Sequence, residues 1–440
     1  MILAPARGEL LRVLGLSFGV AVALGEMVGS GILRAPSLVA QEIGAVGLIL
    51  SLWLAGAIHA GLQANVLAEL GAMLPRVGGQ YVFVRRALGE VPGLVVGWAM
   101  WSAHVAGIAA SSIAFADFLL PIVPQAAGHG AQLAVGLQLA LYGANILGLR
   151  EGRALQTTTS LLKAMLLVAF AAAAVLFLPE TSGLPQQSSP PVGLLMLAGS
   201  YQLIRGAYNG WHAPVYFAEE NVVPSRNIPR ALFFGIAVTA TIYLVVNAAL
   251  LRALGPVGVA ASALPYMTVL KNIAGNGASI VFAIGAMVTV ASCANANVMI
   301  APRVLFALSR DRLLPNALRA VNTGGSPYLA FMLTAVVSIA LATIGGFRMV
   351  FGMIATLVTL ASIVTEISFF VLRRREPKLA RPFRARLYPL LPALVVVLDA
   401  FLLLLFVLAD LRGAALAAAS CLLCVPFGIL ARRSWAASTG

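Results

Sequence analysis

The stretch GEMVGSGILR, residues 25–34, interrupts an apolar run that begins near Leu11. Three glycines in seven residues, with a Glu and a Ser among them, make poor helix. The sequence on both sides nevertheless reads as a membrane-spanning segment. Backbone that leaves a helix at bilayer depth survives only where protein covers it or where it lines a wet cavity. There its freed N–H and C=O groups become ligands. A half-helix starting near Gly31 aims N–H groups and a positive dipole end into such a cavity, which suits a carboxylate. Carbonyls left free where the preceding half-helix stops suit an ammonium.

A second stretch, RGAYNGWHAP at 205–214, breaks the sixth apolar segment in the same way, with Gly206, Gly210 and Pro214. The breaks fall at the first helix of spans 1–5 and the first helix of spans 6–10. Five helices per copy put the two copies in opposite membrane orientations, the pattern of an inverted repeat. Glycines that merely permit close helix packing account for one such break but poorly for two at matched positions. Two breaks facing one another make a site for a zwitterion, of which an amino acid is the obvious case.

Composition supports the membrane reading. Of 440 residues, 60% are hydrophobic and 10% charged, and the mean hydropathy is +0.96. A soluble core stops growing at a few hundred residues and needs no such apolar area. Apolar runs of at least ~18 residues recur along the whole chain, whereas a barrel would show short alternating segments. We therefore expect an all-α membrane protein with 12 transmembrane helices. The spans lie near 12–39, 43–72, 92–121, 130–149, 155–178, 193–217, 230–253, 276–308, 327–345, 350–373, 387–409 and 411–431. Spans 1 and 6 are discontinuous. Residues 1–440 form a single transmembrane domain: a first five-helix repeat at 12–178, a second, inverted one at 193–373, and two peripheral helices at 387–431. The hydrophobic start is too long for a cleaved signal and is read as an uncleaved first span.

The net charge of +14 would suggest nucleic acid in a soluble protein. Here its distribution gives another answer. With the N-terminus in the cytoplasm, Arg76, Arg85, Arg86, Arg150, Arg153, Arg310, Arg312 and the cluster from Arg373 to Arg386 all fall on the cytoplasmic side. Arg252, Lys271, Arg348 and Arg412 fall outside. This asymmetry places both termini in the cytoplasm and makes the lipid bilayer, not nucleic acid, the partner of the basic charge. The segment RRREPKLARPFRARLYP after span ten reads as a solvated connector at the headgroups, and LPETSGLPQQSSPP as the longest outer loop. Cys421 and Cys424 lack the further His or Cys of a metal site, so no metal or cofactor is expected.

Five segments, in order, resemble the amino acid–polyamine–organocation (APC) superfamily with the LeuT-type fold over nearly the whole chain. They are GSGILRAP in span one, AELGAMLPRVGGQYVFVRRALG at 68–89, AYNGWHAPVYFAEENVVPSRNIPRAL at 207–232, RVLFALSRDRLLP at 303–315 and RPFRARLYP at 381–389. The third looks like the sixth span of bacterial and L-type amino acid permeases. The resemblance implies that Ser30 and Gly31, beside Gly29, hold a substrate carboxylate. It implies that the carbonyls of Met27, Gly206, Ala207 and Asn209 receive the amino group. Members often carry a large aromatic gate where this chain has Gly206. Either Tyr208 or Trp211 takes over occlusion here, or the pocket is larger than usual.

Lys163 is the only Lys well inside a span, and a buried ammonium needs a partner. The alternative, snorkelling to the headgroups, weighs against its depth. The resemblance implies that Lys163 stands in for a sodium ion and braces the first break. Glu26 is a costly intramembrane carboxylate that partners Lys163 or Arg205, carries a proton, or favours a cationic substrate. His212, next to the second break, is either a proton sensor or a polar lining group. His59 and His104 read as packing residues; Ser292, Asn295 and Asn297 line the pocket or tie helices together. Glu69, Glu219 and Glu220 cap span ends or pair with loop arginines.

The expected function is a secondary transporter of the cell membrane. It moves an amino acid, a neutral L-amino acid first, by alternating access, sodium-independent and coupled to protons or to exchange. Cationic amino acids or polyamines are the alternative. A membrane-embedded enzyme would need paired carboxylates or a metal cluster that the sequence does not show. A channel would need repeated pore loops.

Overall fold

In the computed structural model, which describes residues 14–76, 78–146, 152–178, 192–322 and 327–437, the chain is helical throughout its apolar segments. Arg7, Arg12, Arg150 and loop residues 179–191 lie outside the described residues.

The first apolar segment forms two helices, α1 (Leu16–Met27) and α2 (Ser30–Glu42), bent by 41° across Val28 and Gly29. There follow α3 (Val46–Met73), the short α4 (Gln80–Leu88), α5 (Glu90–Leu119), α6 (Gly130–Ile146) and α7 (Gly152–Phe177). The sixth segment gives α8 (Leu194–Ala207), which stops inside the predicted break. Residues 208–212 then form turns, and Ala213–Glu220 a short 3-10 helix rather than a second α-helical half. The remainder is α9 (Pro224–Ala261), α10 (Pro265–Arg310), α11 (Tyr328–Ile344), α12 (Phe347–Arg375), α13 (Leu390–Ala409) and α14 (Leu411–Ala437). Gly255 in α9, and Ala274 and Gly275 in α10, leave helical φ/ψ and kink those long helices.

Among the described residues, eight helices are long and apolar enough to cross a membrane, or nine when α1 and α2 count as one broken span. α6 and α11, at 17 residues each, and α8, at 14, are shorter than the ~20 residues of a straight crossing. Length and apolarity alone therefore support fewer crossings than the twelve apolar segments of the sequence.

Packing follows side-chain size and period. α5 is almost wholly buried and runs against α10, α12, α4 and α6. Its Ala, Gly and Ser residues let those helices approach closely. α3 and α1 both lie on α9. α13 carries Leu390, Leu394, Val397, Phe401, Leu404 and Leu408 exposed, at a spacing of three and four, while Asp399 on the same helix is fully buried. An outward apolar stripe and an inward charge are the reverse of a soluble helix and suit a lipid-facing one.

The basic connector after α12 is exposed over most of its length, as its composition suggests, and is also tied to the end of α3. Arg373 donates to Glu69 through Nε at 2.9 Å and Nη2 at 2.5 Å, Arg381 Nε lies 3.2 Å away, and the Ala385 N–H donates at 2.7 Å. Asn65 closes the clamp by exchanging hydrogen bonds with the Arg386 backbone. Nearby, Arg86 forks onto Glu376 and holds that half-buried carboxylate below its usual pKa range. Glu69 is 1% exposed, so removing it strands Arg373 and Arg381. Breaking a buried pair costs about 3–5 kcal/mol. Glu69→Ala is expected to lower the melting temperature of the detergent-purified protein by several degrees, whereas Arg86→Ala, at an exposed pair, leaves it nearly unchanged.

Candidate functional site

α1 ends when the Val28 N–H bonds to the Leu24 carbonyl, at which point Val28 turns extended. The next three carbonyls face side chains from three different helices. Gly25 accepts from Lys163 Nζ of α7 at 2.8 Å. Glu26 accepts from the Cys293 thiol of α10 at 3.4 Å. Met27 accepts from the Tyr243 hydroxyl of α9 at 2.7 Å. Lys163 is 2% exposed, and it sits at the negative end of the α1 dipole. On the far side of the break, α2 begins at Ser30 without a side-chain cap, so its leading N–H groups have none of the usual partners. Within α2, Pro36 cannot bond the Ile32 carbonyl four residues back. The Tyr266 hydroxyl of α10 takes that carbonyl instead, at 2.6 Å.

The second break meets the first directly. A Cβ at Gly31 would lie 2.6 Å from Ala207 Cα, so glycine is what lets α2 begin against the end of α8. The Tyr243 hydroxyl that reaches Met27 also lies 3.0 Å from the Ala207 carbonyl. One phenol thus stands where carbonyls of both broken helices converge. Gly210 adopts φ +107°, open to glycine, and packs its Cα against the Glu26 side chain. The Gly206 carbonyl is taken up by the Asn209 N–H at 3.1 Å, and Asn209 Oδ1 is buried with no hydrogen-bond partner.

Sequence reasoning missed Tyr243, whose helical, apolar surroundings give no sign of its role. It missed Phe351 as well. A Cβ at Gly206 would lie 2.7 Å from the Phe351 ring, and that ring also touches the space beside Gly31. The aromatic volume absent at 206 is thus filled from α12. Phe351 stacks on Phe347 with ring centroids 4.9 Å apart, and the Arg34 guanidinium sits 5.6 Å from the Phe347 ring. Tyr208 is fully buried beside Trp53 and Tyr243, and Trp211 is buried beside His212.

Glu26 faces neither of its expected partners by hydrogen bond; its Oε1 lies 3.2 Å from His104 Nδ1. His104 is also 2.8 Å from Asn297 Oδ1. His104 is therefore no plain packing residue. His59 is likewise 2.7 Å from Asp399. Both carboxylates are remote in sequence, which hid these contacts. His212, with neither ring nitrogen hydrogen-bonded, stands 6.3 Å from His104 and 5.8 Å from Tyr216 between ring centroids. Arg205 points away from the break and donates to Gln63 at 2.7 Å.

Contacts join separate elements on either side of the breaks. On one, Arg34 pairs with Asp117 at 3.2 Å and donates to the Ala263 carbonyl at 3.0 Å. On the other, Leu14 and Asn221 form a bridge, with the Leu14 N–H donating to Glu220 at 2.9 Å and the Val222 N–H to Leu14 at 3.0 Å. Ser292 donates to Thr159, and Asn145 to Asn295, so those span-eight residues join helices.

Comparison with known proteins places the chain in a family. The family described as amino acid permease matches residues 14–425. Asc-type amino acid transporter 1 of Mus musculus is 27% identical over 417 residues, covering 91% of this chain and 77% of the relative. Serine/threonine exchanger SteT of Bacillus subtilis is 25% identical over 412 residues, covering 90% and 91%. Large neutral amino acids transporter small subunit 2 of Mus musculus is 26% identical over 412 residues, covering 90% and 76%. The chain belongs to the amino acid permease family and is a multi-pass membrane transporter, not an enzyme.

Proposed function

We propose that the protein moves a neutral L-amino acid across the cell membrane by alternating access, without sodium, coupled to protons or to exchange. The observation that carries this reading is the convergence of the Met27 and Ala207 carbonyls on one hydroxyl, opposite the uncapped start of α2. A substrate ammonium takes the two carbonyls and displaces Tyr243, while its carboxylate meets the N–H groups of Ser30 and Gly31 beside Gly29. Gly206 and Asn209 complete the wall. Tyr208, Trp211 and Phe351 exclude water. The relatives' names favour neutral substrates. Glu26, turned to His104, leaves the ammonium site to backbone, which weakens the case for cationic amino acids or polyamines.

In this reading the chain spans the membrane twelve times as a 5+5 inverted repeat, 12–178 and 193–373, with 387–431 peripheral and both termini cytoplasmic. Lys163 takes the place of a sodium ion: its ammonium holds the Gly25 carbonyl and so fixes the angle of the first break. Glu26 and His212 are the neighbouring groups through which a proton would act. Transport requires the Arg34–Asp117 contact and the Leu14–Asn221 contact to open in turn. Substrate must therefore shift populations between states without binding any one too tightly.

A thermal-shift screen of the twenty amino acids, followed by counterflow in proteoliposomes, identifies the substrate. Stabilisation by small or large neutral amino acids is expected, and uptake that requires a sodium gradient would refute the coupling. Lys163→Ala is expected to abolish uptake at normal membrane insertion. Tyr243→Phe leaves both carbonyls unbonded in the empty site, so it should favour the bound state by about 1 kcal/mol, read as a roughly fivefold fall in KM with slower release. Gly206→Phe should collide with Phe351 and stop transport, and adding Phe351→Ala should restore part of it.

A further inference from the structure

Away from the broken helices lies a second group of charges, at the junction of α3, α8, α12 and α13. Arg205, Glu366, Asp399, His59, Gln63 and Tyr201 are all buried there, with Asp399 0%, Arg205 1% and Glu366 2% exposed. Arg205 Nη2 donates to Gln63 Oε1 at 2.7 Å, and Gln63 Nε2 donates to Asp399 Oδ2 at 2.5 Å. His59 bridges Asp399 Oδ1, 2.7 Å from Nε2, and the Tyr201 hydroxyl, 2.9 Å from Nδ1. The Glu366 carboxyl faces Asp399, Gln63 and Arg205. While both carboxylates are ionised, neither Glu366 oxygen receives a hydrogen bond. From α4, the uncharged Gln80 accepts from the Thr365 hydroxyl beside Glu366 at 3.3 Å.

Counting charge decides what the cluster lacks. His59 is satisfied as a neutral imidazole, its Nε2–H directed at Asp399 and its Nδ1 accepting from the Tyr201 hydroxyl. Two carboxylates and one guanidinium therefore leave one uncompensated negative charge at membrane depth, where an unpaired ion costs several kcal/mol. Two facing buried carboxyls avoid this by sharing one proton, which also supplies the missing donor between them. We propose that Glu366 and Asp399 form a proton-binding site separate from the broken-helix site, and that Arg205 links the two. Arg205 directly precedes Gly206 and Ala207, so its side chain ends in the cluster while the following backbone faces Met27 and Tyr243. When α8 moves with the substrate, Arg205 moves relative to Asp399 and Glu366, and the pair releases or takes up its proton. His59, reachable from Asp399, provides the relay. The Gln202 amide, bonded to the Gly352 carbonyl at 3.1 Å, ties the same turn of α8 to α12.

The inference extends the transport reading, and its test separates the two. Infrared spectra of the full-length protein in detergent at neutral pH, compared between H2O and D2O, report protonated buried carboxyls. One shared proton predicts that Glu366→Gln and Asp399→Asn each remove the same band, because the carboxylate that remains balances Arg205. Glu26→Gln should leave that band in place. If either cluster variant leaves it intact, the shared proton is refuted. In proteoliposomes, an acid-outside gradient of one pH unit should raise L-serine accumulation up to about tenfold in the unaltered protein. Both variants should lose this gain and keep serine–serine exchange. Equal stimulation of the variants, or no stimulation of an unaltered protein that exchanges serine, would overturn the link. If no amino acid is transported at all, the substrate reading fails, and the infrared comparison still decides the proton site.

Discussion

The end of α1 is the constraint on which the rest of this structure depends. A helix that stops inside a bilayer leaves carbonyls that water cannot satisfy. Lys163, Cys293 and Tyr243 reach the carbonyls of Gly25, Glu26 and Met27 from α7, α10 and α9. Each buried carbonyl left alone would cost roughly 1–3 kcal/mol, and three together would approach the whole stability of a typical domain. The break is thus held open by three helices at once. Any motion of α7, α9 or α10 relative to α1 is felt at the site.

Tyr243 also connects stability to function. Its hydroxyl reaches carbonyls of both broken helices, and in the proposed transport cycle a substrate ammonium replaces it as their donor. A charged donor makes roughly twice the hydrogen bond of a neutral one, enough to bias a two-state bundle without trapping it. Phe351, Phe347 and Arg34 form a series from the break to the Arg34–Asp117 pair.

The buried polar groups divide into two regions. Glu26, His104 and His212 lie against the first break, whereas Arg205, Glu366 and Asp399 lie behind the second. Consecutive residues of α8 serve both: the Arg205 side chain turns toward α13 and the Ala207 carbonyl toward α1. α13 is in this sense more than a lipid-facing addition, since it contributes a fully buried carboxylate on the face opposite its apolar stripe.

Period and composition in the sequence determined the helical class, the positions of the apolar segments, the two breaks and the depth of Lys163. These are local properties, written in runs of apolar residues and in the absence of side chains at glycine. Glu69 as a partner of loop arginines was legible from charge alone. The tertiary structure alone decided which distant side chains meet. Tyr243 and Phe351 sit in ordinary apolar helices, and nothing nearby in sequence distinguishes them from packing residues. His104 reaches Glu26 from α5 to α1, and His59 meets Asp399 because α3 lies against α13. The basic connector reads as solvated and is largely exposed, but only the fold shows that Glu69 and Asn65 hold it. Sequence shows where backbone groups are released; only the packed bundle shows which side chains claim them, because hydrogen bonding is settled by distance in space.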